Sequence, residues 1–131
     1  MATRKRSTPV AAAAEILREH ALAFPATSEH FPWGELAVKV QGKTFLFMRA
    51  EKDTLSFSVK LPQSREFAID LPFAAPTGYG LGRSGWITAT FEKTVGFPVD
   101  VIKDWVTESY RAVAPKRVLR ELDGATAAKS R

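Results

Sequence analysis

Two periodicities divide the chain. Between Thr8 and Pro25 the apolar residues Val10, Ala13, Ala14, Leu17, Ala21 and Phe24 recur at helical spacing. The Thr8 hydroxyl can accept an orphan backbone N–H at the helix start, and Pro9 at the first helical position loses no needed donor. Pro25 closes the element. From Leu36 the spacing drops to two: Leu36, Val38 and Val40 alternate with Ala37, Lys39 and Gln41. Gly42 and Lys43 are expected to form a turn, with Thr44 to Arg49 as the partner strand. After Glu51-Lys52-Asp53, the residues Leu55, Phe57, Val59 and Leu61 alternate with Thr54, Ser56, Ser58 and Lys60. That is the pattern of an antiparallel strand with one buried and one wet face.

Pro62 to Asp70 is polar at its start, with Phe67 and Ile69 as anchors, and suits a short helix. Leu71 to Gly85, with Pro72, Pro76 and four glycines, reads as a long irregular connection. Ile87, Ala89 and Phe91 alternate with Trp86, Thr88 and Thr90 as a further strand. Phe97-Pro98 then opens a helix whose stripe is Val101, Ile102, Trp105, Val106, Ser109 and Val113. Asp100 and Asp104 near its start and Arg111 near its end suit the helix dipole. Pro115 starts a last short helix with Val118, Leu119 and Leu122 inward, and Gly124 is expected to stop it. Helix, meander, loop, strand, helix, helix is an α+β order. The economical packing is a two-layer sandwich, with N-terminal and C-terminal helices on one face of an antiparallel sheet. Residues 1–7 and 125–131 read as tails around a single domain of residues 8–124.

Composition then removes whole classes of chemistry. With 131 residues the chain makes one domain, and with no cysteine it has no thiol nucleophile, disulfide or thiolate metal site. The apolar run Val10–Ala14 ends at Glu15, too short for a secretory signal or a membrane span, which points to the cytoplasm and away from a membrane. Lys and Arg number 19 against 14 Asp and Glu, a net +5. Residues 1–20 hold four basic and two acidic side chains, and residues 111–131 hold six and two, so the excess lies toward the ends.

Gly80-Leu81-Gly82-Arg83-Ser84-Gly85 has the letters of a dinucleotide-binding turn, but a strand follows where that motif needs a helix. It reads instead as a surface turn. His20 and His30 fit no metal-ligand spacing, and Ser28 and Ser84 lack the strand–elbow–helix setting of a nucleophile. Asp100 and Asp104 are explained by the helix dipole, and Trp33 and Trp105 as core anchors. No catalytic constellation, cofactor or metal is implied. The outward sheet face is expected to carry Lys39, Gln41, Ser56, Ser58, Lys60, Thr88 and Thr90, with Trp86 at one end; hydroxyls and ammonium groups of this kind can contact phosphates.

Pro32-Trp33 before a strand, Lys39-Val40-x-Gly42-Lys43-x-Phe45, Val59-Lys60-Leu61, the glycine segment running into Trp86, Trp105, Ser109-Tyr110 and Ala114-Pro115-Lys116-Arg117 together resemble the MmcQ/YjbR family. The resemblance spans roughly residues 10–123. It implies a CyaY-like (frataxin-type) α+β fold and a DNA-binding role without catalysis. The corresponding nucleic-acid candidates are Lys39, Lys43, Lys60, Arg83, Arg111, Lys116, Arg117 and Arg120. An alternative is a small-molecule or protein-binding module, with the Gly/Pro loop 72–85 as a pocket rim and Tyr79, Arg83 and Trp86 as its residues. A frataxin-like iron ridge on the first helix would have only Glu15 and Glu19, beside Arg18, so no iron site is expected.

Overall fold

The computed structural model describes residues 9–31, 35–51, 53–78, 84–92 and 98–129. Helix α1 (Pro9–Leu22) leads into β1 (Thr27–His30), β2 (Leu36–Val40), β3 (Lys43–Glu51) and β4 (Thr54–Lys60). A short α2 (Arg65–Ile69), β5 (Ala74–Pro76) and β6 (Trp86–Glu92) follow, then α3 (Val99–Val113) and α4 (Lys116–Lys129). The strands form one antiparallel sheet in the order β1-β2-β3-β4-β6-β5. Its inner face carries Val38, Leu46, Leu55, Phe57, Val59, Ile87 and Phe91, all buried. Against them pack Val10, Ala13, Leu17 and Ala21 of α1 and Ile102, Trp105, Val106 and Tyr110 of α3. The alternation and the helical stripes therefore meet in a single core, the α+β arrangement expected from their order.

Turn chemistry moves one boundary. Gln41 (φ 51°) and Gly42 (φ 80°) are the two central residues of the β2–β3 hairpin, and Val40 pairs directly with Lys43. Two left-handed residues between paired neighbours is the turn whose twist matches the strands. Lys43 is thus the first residue of β3 and not part of the turn. Two short strands were hidden from periodicity: β1 has four residues, and β5 has three inside the Pro/Gly-rich stretch. Both are edge strands, recruited by pairing with β2 and β6. Gly124 does not stop α4, because it keeps a φ outside the left-handed region and the helix runs on to Lys129. The alanines beyond it are strong helix formers.

The register shifts between Val38, paired with Leu46, and Lys39, paired with Thr44. Phe45 is the extra residue of a β-bulge, so Phe45 and Leu46, although consecutive, are both fully buried. Ser109, fully buried on α3, repairs the ladder beside it. Its Oγ donates to the Phe45 carbonyl at 2.6 Å and accepts from the Lys60 N–H at 2.8 Å. The next residue continues the anchor: Tyr110 stacks on Phe24 at 4.4 Å, meets Phe45 edge-on at 5.2 Å and donates its hydroxyl to the Pro25 carbonyl at 2.8 Å. Burial raises the Tyr110 phenol above its ordinary range. Immediately before Ser109, the Glu108 carboxylate accepts from the Gln63 and Ser64 N–H groups and the Ser64 hydroxyl, holding the turn that opens α2.

Replacing Ser109 with alanine strands a buried carbonyl and a buried N–H, which should cost about 2–4 kcal/mol. Urea unfolding should show a lower midpoint at an unchanged slope; a midpoint equal to wild type would mean the bridge carries no stability.

Candidate functional site

Register sorts the outer sheet face into rows. Lys39 pairs with Thr44, and Lys60 pairs with Trp86 at the level of the bulge. Lys43 lies one residue beyond Thr44. At the opposite end of the same face Glu51 pairs with Thr54 and Thr54 with Glu92, with Asp53 in the adjoining turn. Lys39 and Lys60 thus lie at one end of the face and Glu51 and Glu92 at the other, with the exposed Arg49, paired with Ser56, in the row beside the carboxylates.

Between the two ends three of the hydroxyls bond one another. Ser58 and Thr88 are 2.7 Å apart, and Thr88 and Thr77 2.9 Å. Trp86 is not the exposed end-piece expected from alternation. It is 9% exposed and packs on Phe47 with ring centroids 5.7 Å apart. Cross-strand aromatic contact across the pleat buries it.

The helices deliver further charge to the lysine end. The bonds of Ser109 and Tyr110 to Phe45, Lys60 and Pro25 pin the last turn of α3 there. Helix α4 starts three residues after α3 stops, so its first turn, with Lys116 and Arg117, lies at that end too. Both are exposed, as is Arg120 one turn later. Among the described residues, none of Lys39, Lys43, Lys60, Lys116, Arg117 and Arg120 pairs with a carboxylate. Arg111 differs: its guanidinium donates to Asp123 at 2.6 Å, tying α3 to α4. Arg83 lies outside the described residues.

Charge is divided between parts of the chain. Seven of the nineteen cations (Arg4, Lys5, Arg6, Lys52, Arg83, Lys93 and Arg131) and none of the fourteen carboxylates fall outside the described residues. Inside, twelve cations face fourteen carboxylates.

Tyr79 and Arg83 lie outside the described residues, and Trp86 is occupied by Phe47. One concavity of about 340 Å³ lies between Pro62-Gln63 and the α3 residues Asp104, Thr107, Glu108 and Arg111. Another, of about 270 Å³, lies between Ala11 and Ala14 of α1 and Phe31, Leu36 and Met48. Neither involves the Gly/Pro loop. Gly85 has φ +93° and runs directly into β6, which agrees with a turn and not with a dinucleotide site. Trp105 is 3% exposed, as a core anchor should be, and Trp33 lies outside the described residues.

Glu15 and Glu29 are both held by Arg18, Glu29 through two bonds of 2.7 and 2.8 Å, which lower its pKa. His30 meets Ser28 at 3.0 Å. Among the described residues no group of three acidic or histidine side chains is gathered as for a metal, and no helix is long and apolar enough to cross a membrane.

His20 joins α1 to α3 instead. The Thr107 hydroxyl donates to the Lys103 carbonyl, so it accepts from Nε2–H of His20 at 2.9 Å. Burial first, then the Lys103 charge, holds the imidazole below its ordinary 6.5. A depressed histidine contributes stability that is complete above pH 6.5 and declines as pH falls from there through the folded-state value. Thermal melts on either side of pH 6.5 should show this loss in wild type and a weaker one in His20→Gln; identical pH profiles would exclude the linkage.

Comparison with known proteins comes from sequence and shape. The YjbR family profile matches residues 22–112. No functionally curated protein matches the chain. The crystal structure of Deinococcus radiodurans protein DR2400, a DUF419 domain, is similar at 26% identity with a TM-score of 0.67, covering 84% of this chain and 87% of that one.

Proposed function

The chain belongs to the YjbR family, and we propose that within it this protein binds nucleic acid and catalyses no reaction on it. The reading rests on one observation: cations that form no ion pair are contributed by separate elements, the β2–β3 hairpin, the sheet and the start of α4. Lys43 comes from the hairpin, Lys39 and Lys60 from the sheet, and Lys116 and Arg117 from α4, with Arg120 a turn further on. Arg83 is proposed to join them, and Arg111 to contribute only its residual field because Asp123 holds it.

Fold stability does not account for the α4 pair. The first turn of a helix carries partial positive charge and favours carboxylates, and α4 has no acidic residue there. Two cations at that position are better explained by an anionic partner than by the helix. The contacts are to phosphate, which positions a protein on the backbone and carries no sequence information directly.

Fluorescence anisotropy with labelled duplex DNA tests this. Binding should be detectable at low ionic strength and fall steeply with salt, and Lys116→Ala/Arg117→Ala should reduce the slope of log K against log salt by roughly 0.9 for each lost phosphate contact. No binding at low salt, or a double variant with the wild-type slope, would sink the reading.

A further inference from the structure

The outer face of the sheet carries Phe47 of β3 and Trp86 of β6, with ring centroids 5.7 Å apart and planes tilted by 49°. Trp86 is the covered partner, whereas Phe47 stays part-exposed. The direct cross-strand neighbours of Phe47 are Ala37 and Ser58, both short, so nothing in its own row overtops the ring. We infer that this ring is a stacking platform. The outer face then holds a segment of single-stranded nucleic acid, with one base on Phe47 and the backbone along Lys39 and Lys60. The inference rests on the nucleic-acid reading above and adds the form of the polymer and a second point of contact.

Charge sets the orientation. Lys39, paired with Thr44, and Lys60, paired with Trp86, lie two residues along the strands from the Phe47 row, or about 7 Å. Neither forms an ion pair among the described residues. A strand crossing the sheet at that level puts phosphates on the two ammonium groups and turns its bases toward Phe47. Two residues to the other side, Arg49 pairs with Ser56, and Ser56 with Thr90. Arg49 is exposed and in no ion pair among the described residues, so its planar guanidinium is open to a base edge or a base face. Beyond it come Glu51 and Glu92, and Glu35 directly precedes β2 at the same end. These carboxylates repel a phosphate chain and not a neutral base, which keeps the backbone on the lysine side.

The hydroxyls divide in a similar way. Ser58, Thr88 and Thr77 bond one another at 2.7 and 2.9 Å and order the floor beside Phe47. The Ser56 and Thr90 hydroxyls have no partner among the described residues and are left for a base edge or a sugar. Duplex DNA cannot use such a platform, because its bases are already paired and stacked; a single strand can. One ring takes one base, so ionic contacts carry most of the affinity and stacking decides which form is preferred.

Fluorescence anisotropy of the full chain at low ionic strength tests this with three labelled probes of equal length: oligothymidine, an abasic DNA strand and duplex DNA. Oligothymidine should bind more tightly than the abasic strand, which has the same phosphates and no bases. Phe47→Leu keeps an apolar contact for Trp86 and should weaken oligothymidine binding roughly fivefold or more, the loss of one stacked base. The abasic strand and the duplex should bind that variant as they bind wild type. Phe47→Tyr keeps a ring and should retain the affinity, and circular-dichroism melts should show both variants folded. An oligouridine arm separates RNA from DNA, since only RNA offers a 2′-hydroxyl to the face. Equal affinity for oligothymidine and the abasic strand, a Phe47→Leu chain with wild-type affinity for oligothymidine, or an equal loss on all three probes would each overturn the inference. Duplex binding that persists in those cases, dependent on Lys116 and Arg117, leaves the nucleic-acid reading standing alone. Failure of every probe to bind would remove both.

Discussion

The hydroxyl of Ser109 holds the architecture together at its least regular point. A β-bulge lets Phe45 and Leu46 both face the core, and it leaves the β3–β4 ladder one bond short where the strands run on. An unpaired buried carbonyl or N–H is costly, and the sheet alone could not supply the partner. A helix from the far end of the chain supplies it, donating to Phe45 and accepting from Lys60. Every later position depends on that anchor. It fixes the last turn of α3, Tyr110 locks beside it onto Phe24 and Pro25, and α4 starts where α3 is held.

The same anchor explains why charge gathers. Lys39, Lys60 and Lys116 are far apart in sequence and come from three elements. They share one end of the molecule because the bulge, the end of β4 and the end of α3 are joined by two hydrogen bonds. Arg111, one residue after Tyr110, is neutralised by Asp123, while Lys116 and Arg117 are left unpaired at a helix start where stability would favour acids.

Much of the fold was legible because hydrophobic periodicity reports burial directly. The stripe Val10–Ala13–Leu17–Ala21 and the alternation Leu55–Phe57–Val59 are buried as their spacing requires. The edges were not legible. Strands β1 and β5 are too short to establish a period, and they exist because β2 and β6 offer a ladder to complete. Gly124 was misleading because a glycine stops a helix only when the chain needs its left-handed conformation. For the site, charge and alternation placed Lys39 and Lys60 on the outer face, but the burial of Trp86 under Phe47 and the capture of Arg111 by Asp123 are contacts between distant residues.

By itself the sequence determined which side chains each element would bury, the α+β order of the elements, the absence of thiol chemistry and the drift of positive charge toward the chain ends. Those properties are local or additive, and spacing and composition encode them. Tertiary structure alone decided which cations stay unpaired, which hydroxyls bond one another, and that the end of α3 is tied to the end of β4 at Lys60. These depend on groups brought together across long stretches of chain, as Ser109 is with Lys60 and Phe45, separated from them by 49 and 64 positions. No periodicity reaches that far.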